Sequence, residues 1–374
     1  MANSENKPKI TIKDQIDKFA INYMLGFHTV MLYGFAKNLG INEYLYNKAK
    51  SEEREGKIES ISFSLEELSN NLKLNIKFLD AWLHMAIECG IFEVEDRNKK
   101  IVKTADYVYD LLFNRDHMAY LGDMIGVFYS ISVFKDLFLT NSKTGEEIKF
   151  IDFSGEAYCD AQYLSAITGR FIEILFSKNC KKNKLNLQKE GSLLEVGCGY
   201  GLNLINWVKK YKRAKFVGID IDPKAIKSAN KLFKDENLSD RVEILEIPIE
   251  EYVKRTNTKF DIIMLNQVLH EMDLNENYRI KVLEHIYYLL KDDGLLIIGE
   301  TMMPDIFDEN TDHLLYDIMH KWIEIIFPNR FYTYKSFREL INLTPFKKIE
   351  LIQAEETLKS SSFIPINYFW AISK

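Results

Sequence analysis

Cysteine is scarce in this chain. Cys89, Cys159, Cys180 and Cys198 are the only four in 374 residues, and no two stand in a CxxC pair. That argues against a disulfide-stapled scaffold or a close-spaced thiolate metal site and fits free thiols in a reducing compartment. Long apolar runs are missing too: none reaches the roughly 18 residues that a membrane-spanning helix needs. The opening MANSENKPKITIKD carries no apolar core of the kind that marks a secretory signal. A cytoplasmic protein without a membrane partner is therefore expected. Positive charge is not in excess, since 49 lysines and arginines face 55 acids and leave a formal net charge of −6. That balance argues against a general nucleic-acid binder. No internal repeat is visible.

Hydrophobic residues make up 47% of the chain and charged residues 28%, the balance of a soluble globular protein. At 374 residues it is long enough for two domains with their own cores. The stretch LLEVGCGYG, residues 193–201, organises the rest. Leu193, Leu194 and Val196 read as a buried strand. Gly197, Gly199 and Gly201 follow at alternate positions, and Leu202, Ile205, Trp207 and Val208 then take up helical spacing. Strand, glycine turn and helix open an α/β unit that binds a nucleotide-like ligand, because glycines admit the ligand and a helix N-terminus attracts an anionic group. A second apolar strand over 216–219 ends in Asp220, about 20 residues past the glycines, where an acid takes ribose hydroxyls. A dinucleotide fingerprint, GxGxxG, would need glycine at 202, and that residue is Leu202. The spacing ExGxGxG, with Glu195 at its head, resembles motif I of the class I S-adenosylmethionine (SAM) methyltransferases.

Ahead of this unit the chain is mainly helical. Ile16, Phe19, Tyr23, Phe27, Val30, Met31 and Phe35 fall at helical spacing within 14–48, dense enough in aromatics for a core or a subunit interface. Ser64 and Glu67 predict a capping box for one helix, and Asn75 predicts the N-cap of a second that Gly90 closes. Residues 91–94 and 100–103 flank Asp96-Arg97-Asn98 as a hairpin. Two helices and a hairpin make a winged helix. Its second helix sets Lys77 against Asp80 and Glu88, a poor surface for reading DNA. Residues 106–150 read as further helices and 157–180 as a long one. KKNKLNLQKEG, 181–191, reads as a polar connector.

Beyond Asp220 the pattern predicts a helix over 223–233, strands over 242–247 and 260–265, a helix over 278–290 and a strand over 295–299. Helices over 311–326 and 334–342 and strands over 349–353 and 368–372 complete it. Five βα steps and a terminal strand pair fit a mostly parallel open sheet with an antiparallel end strand.

Residues about 15–374 resemble the small-molecule O-methyltransferases of the caffeate and hydroxyindole type and their bacterial natural-product relatives. Four motifs carry the likeness: LLEVGCGYG, VGIDIDP, FDIIMLNQVLHEMD and GLLIIGETMMPD. The resemblance implies an α/β, Rossmann-like seven-stranded SAM domain over 185–374. A helical winged-helix dimerisation domain over 1–150 would precede it, joined by a connecting helix and linker over 151–184. It implies a homodimer and a small-molecule acceptor. By position, Glu195, Gly197, Gly199 and Gly201 would line the methionine part of SAM, Asp220 would take the ribose and Ile221 the adenine. Pro248 and Ile249 would lie at the adenine edge, with Asn266 and Gln267 beside the cofactor. His270 falls on the family's catalytic base and Glu300 on an acid that flanks it. Met303, His313, Asp317 and His320 fall on the substrate side.

The chain also departs from the family. Pro248 stands where members often have an acid, Met272 replaces a tryptophan, and no acid lies within 329–337, where a second flanking glutamate belongs. His28, His84, His117 and His285 sit in helical patterns without a motif and read as structural.

Three functions follow. The leading one is transfer of a methyl group from SAM to a hydroxyl of a small aromatic metabolite, with His270 as base. An alternative is C-methylation of an enolisable 2-oxo acid around a metal held by His270, Glu271 and His320. A third is a SAM-binding protein of the same fold without transfer activity.

Overall fold

The computed structural model describes residues 12, 18, 22–52, 60–117, 119–131, 135–148, 156–272, 275–303, 327–353 and 368–374. The chain divides into two compact units, Met1–Phe134 and Lys135–Lys374.

In the first unit, α1 (Met24–Asn38) and α2 (Ile41–Glu52) lead to β1 (Ser62–Ser64), α3 (Leu65–Leu72) and α4 (Ile76–Glu88). β2 (Phe92–Asp96) and β3 (Ile101–Thr104) then form the expected hairpin, and α5 (Gly122–Ile131) follows. β1 pairs antiparallel with β3, giving a sheet of order β1-β3-β2. The sequence pattern did not show β1, because three residues with one buried side chain, Phe63, are too few for a period to appear. Leu45, Leu68, Leu79, Trp82 and Phe92 fill the core between helices and sheet.

The caps come out differently. Asn75 accepts from the backbone N–H groups of Lys77 (2.9 Å) and Phe78 (3.2 Å), as expected. Ser64 accepts from the Glu67 N–H at 3.1 Å. The Glu67 carboxylate, however, does not return to the cap. It accepts from Lys48 Nζ at 2.7 Å and from the Tyr44 hydroxyl. A cation and a phenol on α2 hold it more strongly than a neutral amide would, so the box is half formed and its other half ties α2 to α3.

The second unit contains α6 (Lys135–Thr144), α7 (Glu156–Asn179) and α8 (Lys181–Lys189). The expected polar connector is thus largely helix. Leu187, fully buried, anchors it, while Leu185 is exposed among lysines, asparagines and a glutamine. Five parallel strands follow: β4 (Ser192–Val196), β5 (Lys215–Asp220), β6 (Val242–Glu246), β7 (Phe260–Asn266) and β8 (Leu290–Gly299). Helices α9 (Leu204–Lys210), α10 (Pro223–Asp235), α11 (Ile249–Arg255) and α12 (Glu276–Leu289) connect them, and α13 (Tyr334–Asn342) comes after β8. β9 (Lys348–Gln353) and β10 (Tyr368–Ser373) close the sheet, with β10 antiparallel to both β8 and β9. The order is β6-β5-β4-β7-β8-β10-β9. All seven residues of β7 are buried because helices cover both faces of the sheet. The helix expected over 311–326 lies outside the described residues.

The chain enters this sheet at β4, winds out to β6, and restarts at β7 on the other side of β4. Open α/β sheets bind ligands at the carboxyl ends of their strands at such a reversal. Here that point lies between the turn after β4 and the turn after β7.

For the half-formed cap, Ser64→Ala should lower the stability of the first unit by about 1 kcal/mol. Chemical denaturation would measure it, and an unchanged midpoint would show that the serine carries no cap energy.

Candidate active site

The glycine turn follows Val196. Gly197, Gly199 and Gly201 have φ of 73°, 51° and 74°, a left-handed region that glycine enters without cost. Space makes a second demand. A Cβ on Gly197 would come within 2.5 Å of Val268 Cγ2, and one on Gly201 within 2.8 Å of Phe233 Cε2. Val268 lies just after β7, so the first glycine lets the two turns at the reversal touch.

Asp220 holds this turn from the end of β5. Its Oδ2 accepts from the Gly199 N–H at 2.8 Å and its Oδ1 from the Asp222 N–H at 2.9 Å. Burial raises its pKa, and these two bonds oppose the rise. The next side chain, Ile221, is 63% exposed, an apolar group left uncovered beside the acid. The Ile247 N–H donates to the Asp220 carbonyl at 2.9 Å, bringing the end of β6 alongside. Pro248 caps α11 and is half-buried, while Ile249 packs into the core.

Glu195, on β4, is 1% exposed. Its Oε1 accepts from Asn203 Nδ2 at 2.5 Å. Burial pushes its pKa up to about 8, with the Asn203 bond opposing and the Asp220 charge adding. Gly169 on α7 leaves the room: a Cβ there would overlap the Asn203 amide.

Across the reversal, Asn266 ends β7 and accepts from the Thr168 hydroxyl of α7 at 3.0 Å. Gln267 follows with φ of 58°, its N–H on the Gly299 carbonyl at 2.8 Å and its Oε1 on the Thr301 hydroxyl at 3.0 Å. The chain then makes a single tight helical turn, Leu269–Glu271. Within it His270 is fully buried. Its Nδ1 is hydrogen-bonded to Glu300 Oε1, and its backbone N–H donates to Glu300 Oε2 at 3.2 Å. Thr301 N–H donates to the same carboxylate at 3.1 Å. Phe331 stacks on the imidazole, with centroids 4.9 Å apart and planes at 17°. Nδ1 is thereby committed to Glu300, while Nε2 faces Glu271, whose Oε1 lies 4.0 Å away.

Residues 194–296 match a family model described as a methyltransferase domain. Over those residues this chain is similar to methyltransferase domains. Over 120 residues, 32% of this chain and 38% of the relative, the sequence is 26% identical to the erythromycin 3''-O-methyltransferase of Saccharopolyspora erythraea. The chain spans less than half the length of the curated relatives it matches. Two solved structures show how far the fold extends. An O-methyltransferase family protein from Burkholderia thailandensis aligns with a TM-score of 0.65 and 12% identity over 98% of each chain. Human N-acetylserotonin methyltransferase, in complex with SAM, aligns with a TM-score of 0.63 and 16% identity over 98% of this chain and 99% of its own.

In the second unit, Glu195, the three glycines and Asp220 gather on one side of the reversal. Asn266, Gln267, His270 and Glu300 gather on the other. Met303 is buried, its N–H on the Tyr332 carbonyl at 2.7 Å. His313, Asp317 and His320 lie outside the described residues. Among the described residues, no group of three or more His, Cys, Asp or Glu side chains is placed to hold a metal ion. Within 329–337, the stretch expected to carry a second glutamate, Phe331 lays its ring against the imidazole.

Several residues escaped sequence reasoning. Asn203 sits eight residues from Glu195, within a helical pattern that says nothing of a buried partner. Val268 reaches the site only through packing, and Thr168 through a hydrogen bond from a distant helix. Phe331 was signalled only by the acid missing around it.

Glu195 sets a pH dependence. Its folded-state pKa lies above the ordinary value, so between about pH 4.5 and 8 the folded state keeps a proton that the unfolded chain releases. Stability therefore falls as pH rises through that window. Glu195→Gln should flatten the fall, as read by thermal unfolding at several pH values; an equal slope in both proteins would refute it.

Proposed function

We propose that this protein is a SAM-dependent O-methyltransferase that methylates a hydroxyl of a small aromatic metabolite, with His270 as general base. The His270–Glu300 pair carries the reading, set two residues beyond Val268, which packs against the first glycine of the turn. The match to an O-methyltransferase in sequence and the shared fold support it. Bound SAM would supply an electrophilic methyl group. The glycine turn and Asp220 would hold the cofactor, and Ile221 would cover its adenine. His270 Nε2 would take the acceptor's proton as its oxygen becomes alkylated. Glu300 would fix the ring and stabilise the imidazolium, and Phe331 would keep the ring plane from swinging. Much of the remaining catalysis is positioning. Met303 and the pocket residues His313, Asp317 and His320 would face the acceptor.

The chain would work in the cytoplasm, in natural-product biosynthesis, without a nucleic-acid partner. It would act as a homodimer formed through the first unit, whose α1 leaves Met24 and Phe27 57% and 58% exposed. Light scattering at micromolar concentration should return a dimer of the 43.8 kDa chain; a monomer would count against the interface.

Mass spectrometry with labelled SAM and a panel of phenols, catechols and 2-oxo acids tests the reaction. Methylated phenol or catechol is expected. His270→Ala should lower turnover by about 10²–10⁴, with SAM affinity unchanged. Activity should survive EDTA. An enzyme inactive until a metal is restored, with a methylated 2-oxo acid as product, would replace the base reading by the metal-assisted one.

A further inference from the structure

Arg279, on α12, is fully buried. A guanidinium taken out of water costs several kcal/mol unless its donors find acceptors. Here Nη1 donates to the Tyr332 hydroxyl at 3.1 Å, and Nη2 donates to the backbone carbonyls of Met272 at 2.8 Å and His270 at 3.3 Å. None of these acceptors is a carboxylate. The guanidinium carbon also lies 5.5 Å from the centre of the Tyr332 ring.

The acceptors belong to two separate segments, and both act on His270. One is the turn that carries it, gripped at His270 and two residues later at Met272. The other is 330–332, where the Arg330 N–H donates to the same His270 carbonyl at 2.8 Å and Phe331 stacks on the imidazole. Tyr332 in turn receives the Met303 N–H, which links this segment to the chain leaving Glu300. The helix bearing Arg279 is itself rigid, since Val282, Leu283, Ile286 and Leu289 are buried in the core. A fixed cation thus clasps the turn beneath the imidazole to the segment above its face.

We propose that Arg279 is a positioning residue, whose guanidinium sets the orientation of the His270 ring by joining the 269–272 turn to residues 330–332. The proposal rests on the reading of His270 as the base. A planar fork suits acceptors that diverge from one point, whereas a lysine ammonium would reach one or two of them. The reaction should be sensitive to the clasp, because a shift of about 1 Å in a reacting group can cost on the order of 10² in rate.

The test uses the whole protein and two readouts. The first is independent of turnover: the downfield proton resonance of the His270 Nδ1–H bonded to Glu300, assigned by its loss in His270→Ala. Arg279→Met should speed its exchange with water by about tenfold or more, while the rest of the spectrum and SAM binding by calorimetry stay as in the parent. Arg279→Lys should fall between. The second readout is turnover of whichever phenol or catechol the panel identifies. There Arg279→Met should lower kcat by about 10–10², and it should cost nothing further when added to His270→Ala, because the two act through one ring.

An unchanged resonance in Arg279→Met would overturn the proposal, as would kinetic losses that multiply with those of His270→Ala. Weakened SAM binding in step with a lower unfolding temperature would show a structural role only, which also overturns it. Should Arg279→Met fail to fold, Tyr332→Phe removes one acceptor and keeps the ring, and the same resonance decides. A perturbed resonance alongside full turnover in His270→Ala would uphold the clasp and sink the base reading.

Discussion

The hydrogen bonds of the Asp220 carboxylate are the constraint on which the glycine turn of this protein depends. Three glycines in the left-handed region would otherwise leave the turn after β4 among the loosest segments of the chain, because glycine loses the most freedom on ordering. A carboxylate at the end of the neighbouring strand accepts from the middle glycine and from its own helix cap. The turn is thereby shaped before any ligand arrives. The first glycine, pressed against Val268, passes that shape across the strand reversal to the turn bearing His270.

The second-unit site is built from buried polar groups that hold one another. Glu195 is held by Asn203, Asn266 by Thr168, Gln267 by Thr301, and His270 by Glu300. Each would be costly to bury alone. In pairs they become rigid, and rigidity is what a site needs when its chemistry consists largely of placing one atom against another. Arg279 extends the pattern one layer outward: a charge without a carboxylate among its hydrogen-bond partners in the described residues, stabilised by carbonyls and a phenol, that joins two segments otherwise linked by backbone bonds and stacking.

The two units differ in how much of their order is local. In the first, Asn75 caps its helix through bonds to residues two and three positions away, and such a cap can be read directly from spacing. The Ser64–Glu67 pair shows where this fails. The local half of the box forms, and the half that depends on a side chain's choice of partner goes to Lys48 and Tyr44 on another helix.

That contrast separates what the sequence by itself determined from what only the tertiary structure decided. Alternation of apolar residues, the ExGxGxG spacing and the acid at Asp220 are properties of short segments, and they were enough to place the strands, the glycine turn and the parallel sheet with its antiparallel end. The position of His270 after a central strand was equally legible. The identity of its neighbours was not. Glu300 is 30 residues away and could be named only through a family pattern, Phe331 was marked only by a missing acid, and Arg279 matched no pattern at all. Stacking, clasping and burial are set by which surfaces the folded sheet brings together. A helix over 181–189 in place of a polar connector has the same origin, because one leucine finding a core outweighs a run of lysines and asparagines that merely tolerate being helical.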